Sequence, residues 1–173
     1  MWMSEAYTEM ERELLLQKVQ MHMSEKRFKH VLGVEETAVA LAEKYGADPE
    51  KASIAALCHD YAKERPDDEF QMVIRRDGFE LDLLNWNNAI WHGVVGADFV
   101  QRELGIDDEE ILNAIRLHTT GAAQMTLLDK IIYVADYIEP GRDFPGVQEA
   151  REIALVDLDE AVAYETKHTL EHL

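Results

Sequence analysis

The chain has few of the features that secreted, membrane-spanning or nucleic-acid-binding proteins need. Its 173 residues include one cysteine, Cys58, so no disulfide can form within the chain, and a cytoplasmic protein is expected. No stretch approaches the roughly 20 consecutive apolar residues of a membrane-spanning helix. The first residues show neither the basic start nor the apolar segment of a secretory signal. We therefore expect no membrane span and no leader.

Basic residues are also scarce, with 17 Lys and Arg against 35 Asp and Glu and a net charge of −18. This balance argues against general affinity for a nucleic-acid backbone or an anionic membrane. It does not exclude a phosphate-bearing substrate, because one or two divalent cations would dominate the local field inside a cleft. The basic residues that could assist there are Arg27, Lys63, Arg65 and Arg142.

Glycine and proline are sparse, alternating strand patterns are absent, and no linker interrupts the chain. The apolar periodicity is helical almost throughout, which predicts an all-α fold with residues 1–173 in one compact domain. Capping residues set several predicted ends. We predict helices over 5–21, 24–46, 48–65, 67–76, about 92–105, 107–118, 126–139, 147–156 and 158–172, with an irregular stretch over 81–91.

Histidines and aspartates recur within or beside these apolar, helix-patterned segments, where an unpartnered polar side chain is costly. Borderline divalent metals bind imidazole nitrogen and carboxylate oxygen, so six such groups could fill one or two sites. The sequence therefore predicts a metal centre among His30, His59, Asp60, His92, His118 and Asp136.

Alternatives remain for the individual members of this set. Asp136 lies in a nearly continuous apolar run and needs either a metal or a basic partner; we favour the metal. Asp129, two turns earlier on the same face, is expected to be exposed, and Cys58 to be a buried structural thiol rather than a ligand. His92 and His118 are either satisfied core histidines, substrate contacts or ligands of a second metal.

Two cations lie one helical turn from predicted ligands. Lys63 follows His59 and Asp60, and Arg27 precedes His30, so either could meet an anion held by the metal. The alternative for both is an exposed side chain. The chain has no His-Glu-x-x-His, Cys-x-x-Cys, P-loop, Gly-x-Gly-x-x-Gly or Gly-x-Ser-x-Gly motif, which leaves metal-assisted hydrolysis as the favoured chemistry.

The order of these residues on successive helices resembles the HD-domain metal phosphohydrolases, and more closely the YqeK-type symmetrical bis(5′-nucleosyl)-tetraphosphatases. The resemblance covers roughly residues 10–173. Its segments are KRFKHVLGV, AALCHDYAKERP, IWHGVVGA, AIRLHTTG and MTLLDKIIYVADYIEPGRDFPGV.

This resemblance implies a compact α-helical HD domain that hydrolyses diadenosine tetraphosphate symmetrically into two ADP. It implies metal ligands, with iron as the metal, at His30, His59, Asp60 and Asp136. It implies nucleotide-phosphate contacts at Arg27, Lys63, His92, His118, Thr119 and Arg142. The catalytic residues are then expected to be Asp60, Lys63, His92 and His118.

Two other functions stay open on the sequence alone. One is an HD-type nucleotidase or phosphodiesterase that acts on another nucleotide, and the other is a non-catalytic nucleotide sensor. In each case the expected partner is a nucleotide rather than a nucleic-acid polymer or a membrane, and a homodimer is possible.

Overall fold

The computed structural model describes residues 9–172, and across this range it contains helices and turns but no strand. The all-α prediction is confirmed. A 3-10 helix spans Leu81–Asn85. The α-helices are α1 (Glu9–Gln20), α2 (Glu25–Tyr45), α3 (Pro49–Cys58), α4 (Asp67–Arg76), α5 (Asn88–Val94), α6 (Gly96–Leu104), α7 (Glu109–Leu117), α8 (Leu127–Ile138), α9 (Val147–Val156) and α10 (Leu158–Glu171).

Side-chain caps fix several helix ends where the sequence predicted them. Ser24 accepts a hydrogen bond from the backbone of the first turn of α2, and Gly46 ends that helix at φ 84°, a conformation that favours glycine. Asp48 caps α3 in the same way. Thr126 and Asp129 form a reciprocal capping box at the start of α8. Local hydrogen bonding therefore determines these boundaries.

Other predicted boundaries were wrong. α3 ends at Cys58 instead of continuing to residue 65, because the chain there forms tight turns with i to i+3 hydrogen bonds, such as Lys63 N to Asp60 O at 3.0 Å. The helix predicted from His92 to Gly105 is two helices: α5 begins earlier, where the Asn87 side chain accepts from Ala89 N, and α6 follows Val95.

The cap of α7 also differs from the prediction, since Asp108 rather than Asp107 accepts from the third helical backbone N–H. This N–H belongs to Ile111, three residues on from Asp108, which is the spacing that a capping side chain reaches.

The core lies where α8 packs against α2, α3, α7 and α10. Fully buried aliphatic side chains such as Ile54, Leu57, Ile115, Ile131 and Ile132 fill it. Each contributes about 1.5–3 kcal/mol relative to an exposed position. This packing brings the C-terminal ends of α3, α7 and α8 together beside the N-terminal half of α2, where His30 lies. Within residues 9–172, no helix combines the length and the apolar character that crossing a membrane requires.

Candidate metal centre

The six predicted ligands meet in one place, although five different helices or helix ends supply them. His30 lies in α2, and His92 lies in α5. His59 and Asp60 follow the last residue of α3, His118 follows the last residue of α7, and Asp136 lies in the last turn of α8. All six are wholly or mostly buried: His30, His59, Asp60, His92, His118 and Asp136.

Four donor atoms form one compact group. The Nε2 of His30 lies 2.9 Å from Asp136 Oδ1 and 3.5 Å from Asp60 Oδ2. The Nε2 of His59 lies 3.4 Å from each of the same two oxygens. His59 Nε2 is fully buried and has no hydrogen-bond partner among the described residues. Because an unpartnered buried nitrogen is costly, this atom fits a metal ligand.

A second group shares Asp60 with the first. Its other oxygen, Oδ1, lies 3.5 Å from the Nε2 atoms of both His92 and His118. Those two nitrogens are only 3.0 Å apart. Asp60 therefore faces both groups, one with each carboxylate oxygen.

The Nδ1 contacts of three histidines determine which ring nitrogen faces the centre. Each lies 2.6–2.7 Å from a backbone carbonyl oxygen three or four residues earlier. A carbonyl oxygen can only accept, so each Nδ1 carries a hydrogen and Nε2 is the ring nitrogen that faces the centre. This applies to His59, His92 and His118. Two facing lone pairs 3.0 Å apart, as at His92 and His118, need a proton or a cation between them.

The local field favours a cation. Burial tends to raise the pKa values of Asp60 and Asp136, but the surrounding imidazoles outweigh this effect and hold both pKa values well below the usual range of a carboxyl. Burial lowers the pKa of His92 to about 3, and His118 adds to this effect. For His59, burial acts downward, but the Asp60 and Asp136 carboxylates outweigh it and raise the pKa to about 9. The negative ends of three helix dipoles also converge here.

Two arginines touch the carboxylates of this centre. Arg27 Nη1 lies 3.0 Å from Asp60 Oδ2, and Arg142 Nη2 lies 3.1 Å from Asp136 Oδ1. Arg142 Nε also donates to the Asp136 carbonyl at 2.9 Å. Both arginines and His30 line a cavity of about 680 Å³. The predicted positions of Arg27 and Arg142 beside the centre agree with this geometry.

The other residues that could contact phosphate differ in their surroundings. Lys63 follows Asp60 in the turn after α3, and its charge helps to lower the pKa of His92. The Thr119 hydroxyl, next to His118, is buried without a hydrogen-bond partner in the described part of the chain. Arg65 is not available to the site, because its guanidinium lies over the Phe99 ring and bonds to Glu103.

The prediction that Asp129 is exposed was wrong, since only 1% of it is accessible. Its Oδ2 accepts from Thr126 N at 2.9 Å and from Asn113 Nδ2 at 3.0 Å, so the capping box and α7 enclose it. It belongs to none of the groups of possible metal ligands. Cys58 is buried as expected, and burial raises the pKa of its thiol far above the ordinary value.

Sequence reasoning missed Glu139 and Arg151. Glu139 Oε2 lies 2.6 Å from His30 Nδ1, so the carboxylate contacts the ring nitrogen of this predicted ligand that faces away from the centre. Arg151 donates to the carbonyl oxygens of Ile138, Glu139 and Arg142, which ties the loop after α8 to α9. Gly33, an isolated glycine in a long helix, was an available signal for Glu139, because such a glycine indicates that another group approaches closely.

Comparisons with known proteins agree with this geometry. The HD domain family model matches residues 27–141. The chain is 52% identical to the symmetrical bis(5′-nucleosyl)-tetraphosphatase of Bacillus subtilis (strain 168), covering 93% of this chain and 87% of that protein. It is 46% identical to the protein of the same name from Halalkalibacterium halodurans, covering 95% and 88%.

A solved structure is also similar, that of a predicted HD superfamily hydrolase involved in NAD metabolism from Clostridium acetobutylicum. The TM-score is 0.88 at 44% identity, over 92% of this chain and 85% of that one. The chain belongs to the HD-domain family and, within it, to the group of the symmetrical bis(5′-nucleosyl)-tetraphosphatases. It is accordingly a metal-dependent hydrolase.

Proposed function

We propose that this chain hydrolyses dinucleoside tetraphosphates symmetrically, with diadenosine tetraphosphate as the preferred substrate and two ADP as products. The observation on which the proposal rests is the buried, unpartnered Nε2 of His59, which faces two ionised carboxylates with two guanidinium groups beside them. The names of the Bacillus and Halalkalibacterium relatives specify the symmetrical cleavage.

The metal ligands of this proposal are His30, His59, Asp60 and Asp136, and the proposed metal is iron. When bound, such a metal supplies Lewis acidity, which lowers the pKa of a coordinated water and withdraws charge from a phosphoryl oxygen. Asp60 also turns an oxygen toward His92 and His118, which is the arrangement that a second metal needs. Elemental analysis of the purified protein gives both the metal and its stoichiometry.

The tetraphosphate is proposed to lie against Arg27, Lys63, Arg142 and Thr119. Arg27 and Arg142 place N–H groups within 3.1 Å of the ligand carboxylates, so the same groups can reach a phosphate oxygen that lies beside the metal. Their charge offsets the negative charge that develops on the phosphoryl oxygens in the transition state. Thr119 offers a hydroxyl without a partner in the described chain.

The reaction consumes one water. The water oxygen bonds to the second phosphorus from one adenosine and releases a proton to the solvent, and the bond from that phosphorus to the oxygen that joins the two central phosphorus atoms breaks. One ADP thereby gains the water oxygen, and the other leaves and takes up a proton. In a one-metal site, we propose that the His92–His118 pair supplies that proton; in a two-metal site, the same pair would bind the second metal.

The test is to incubate the purified protein with diadenosine tetraphosphate in ¹⁸O-labelled water and to resolve the products by anion exchange and mass spectrometry. ADP as the only product, with label in half of the molecules, supports the proposal. ATP together with AMP contradicts the symmetrical mechanism. The same assay with nucleoside monophosphates and cyclic dinucleotides tests the other HD-type activities, and the absence of any turnover would favour a sensor.

A further inference from the structure

We propose that Glu139 is a positioning residue that holds His30 in the tautomer and orientation that present Nε2 to the metal. The inference rests on the proposed metal site and adds a residue that touches neither metal nor substrate. Glu139 is 4% exposed and lies directly after α8, whereas His30 lies in α2. Their side chains meet at 2.6 Å between Glu139 Oε2 and His30 Nδ1.

His30 differs from the other histidines of the centre in what its Nδ1 can reach. His59, His92 and His118 lie in or after the last turn of their helices, and each bonds a carbonyl of its own chain segment. His30 lies within a 21-residue helix, and its Nδ1 contacts no carbonyl of that helix but the carboxylate of Glu139 from another element, at 2.6 Å.

The Glu139 carboxylate is itself held in place. Its Oε1 accepts a hydrogen bond from the backbone N–H of Gly141. Its own carbonyl accepts from Arg151 Nη2 at 2.9 Å, and the same group donates to the Arg142 carbonyl at 2.8 Å. The loop after α8 is thus fixed at several points, so the carboxylate meets His30 in a defined direction.

Two glycines make room for this carboxylate. A Cβ added at Gly33 would lie 2.6 Å from Glu139 Oε1, and one added at Gly141 would lie 2.8 Å from the same atom. Neither glycine has the positive φ that would otherwise call for glycine. Gly33 lies one turn beyond His30 on the same face of α2. The lack of a side chain there serves the approach of Glu139.

A carboxylate that accepts from the far nitrogen of a ligating imidazole fixes its tautomer and raises its basicity, and loss of such a partner typically weakens metal binding 10–100-fold. A purely structural Glu139, one that only ends α8 and binds Gly141, would affect unfolding but not metal affinity. The two roles therefore differ in a measurable way.

The main experiment compares Glu139→Gln with wild type and with Glu152→Gln, an exposed glutamate on α9. Zinc alone is titrated against a competing chelator. We expect Glu139→Gln to bind zinc about 10–100-fold more weakly, with Glu152→Gln equal to wild type. Long-range ¹H–¹⁵N spectra of the zinc-loaded protein should show His30 protonated at Nδ1 in wild type. Wild-type zinc affinity in Glu139→Gln would overturn the inference.

A second pair of variants keeps the test valid if Glu139→Gln does not fold. Gly33→Ala should weaken zinc binding in the wild-type background, because its methyl group displaces the carboxylate. In a Glu139→Ala background, Gly33→Ala should weaken zinc binding no further, since the nearest remaining atom, Cβ of residue 139, is 3.6 Å from the added methyl group. Gly96→Ala, whose Cβ would meet only Ala62 at 3.5 Å, is the matched control. Additive effects of Gly33→Ala and Glu139→Ala would contradict the proposal.

The outcomes separate this inference from the proposed function. If wild type binds no zinc, or if His30→Ala binds it as wild type does, the proposed metal site itself is wrong. If His30→Ala loses zinc while Glu139→Gln and Gly33→Ala keep it fully, the metal site stands and only the role of Glu139 is refuted.

Discussion

Glu165→Met should make the protein more stable, and increasingly so as the pH rises. Glu165 lies on the buried face of α10, is 6% exposed, and its Oε1 has no hydrogen-bond partner in the described chain. Burial raises the pKa of this carboxyl well above its usual range, and the Asp136 carboxylate adds to the effect while Arg142 opposes it. Methionine has a similar length and no charge to bury.

The direction of the pH dependence follows from proton binding. Below the pKa of Glu165 in the unfolded chain, about 4.3, both states are protonated and the charge has no effect. Above it the unfolded chain releases the proton first, so the folded state binds more protons and stability falls as pH rises. The loss is complete once the pH exceeds the raised pKa of the folded state.

The magnitude follows from the cost of an unsatisfied buried group, about 1–3 kcal/mol and larger when it is charged. We expect a gain of about 1 kcal/mol near pH 5.5 and about 3 kcal/mol near pH 8. For a chain of this size these gains correspond to about 2–4 °C and about 6–12 °C in Tm.

The assay is thermal unfolding followed by circular dichroism at both pH values, with chelator present because a cation at Asp136 would alter the field at Glu165. Glu152→Met, at an exposed position on α9, is the control and should change little. A Glu165→Met protein that is less stable than wild type near pH 8, or equally stabilised at both pH values, would refute the reasoning.

Three further predictions concern the centre and its surroundings. Asp60→Ala should abolish turnover and remove bound metal with little change in circular dichroism, as elemental analysis and activity assays can show. Asp129→Ala should keep normal kcat but lose about 1–2 kcal/mol in urea unfolding, since it removes the hydrogen bonds that Asp129 accepts from Thr126 N in the capping box and from Asn113; loss of metal in this variant would mean that the wrong aspartate was chosen. Lys63→Ala and Arg142→Ala should keep their metal and lower kcat more than they raise KM. Each should lose about 2–4 kcal/mol of transition-state stabilisation. Arg142→Lys should recover only part of the lost activity. Wild-type kinetics in both alanine variants would contradict the phosphate contacts.

The sequence predicted the helices best where a local hydrogen bond defines their ends. Ser24, Asp48 and Thr126 cap the backbone N–H groups within three residues of themselves, so the signal lies within a single short segment. The end of α3 at Cys58 has no such signal. There the chain leaves the helix in tight turns that bring Asp60 to both groups of histidines, and only the packing of distant helices determines that arrangement.

For the site, the sequence predicted the histidines and aspartates that the fold brings together, but not the residues that hold them in place. A histidine or aspartate in an apolar segment is conspicuous because it needs a partner. Glu139 was missed because it follows its helix, next to Pro140, where an exposed glutamate is ordinary. The clearest signal was Gly33, an isolated glycine in a long helix, which indicates that another group approaches closely.

The hydrogen bonds from His59 and His118 to carbonyls of their own helices have a consequence for how the centre can be studied. Each ring satisfies a carbonyl in the last turn of its helix and also faces the proposed ligand space with its other nitrogen. Replacing either histidine with alanine therefore removes a helix-terminating contact and a proposed ligand in one step, so a fall in metal content after such a change could not distinguish local fraying from lost coordination. A substitution that keeps a donor toward the carbonyl, such as His118→Asn or His118→Gln, separates the two effects.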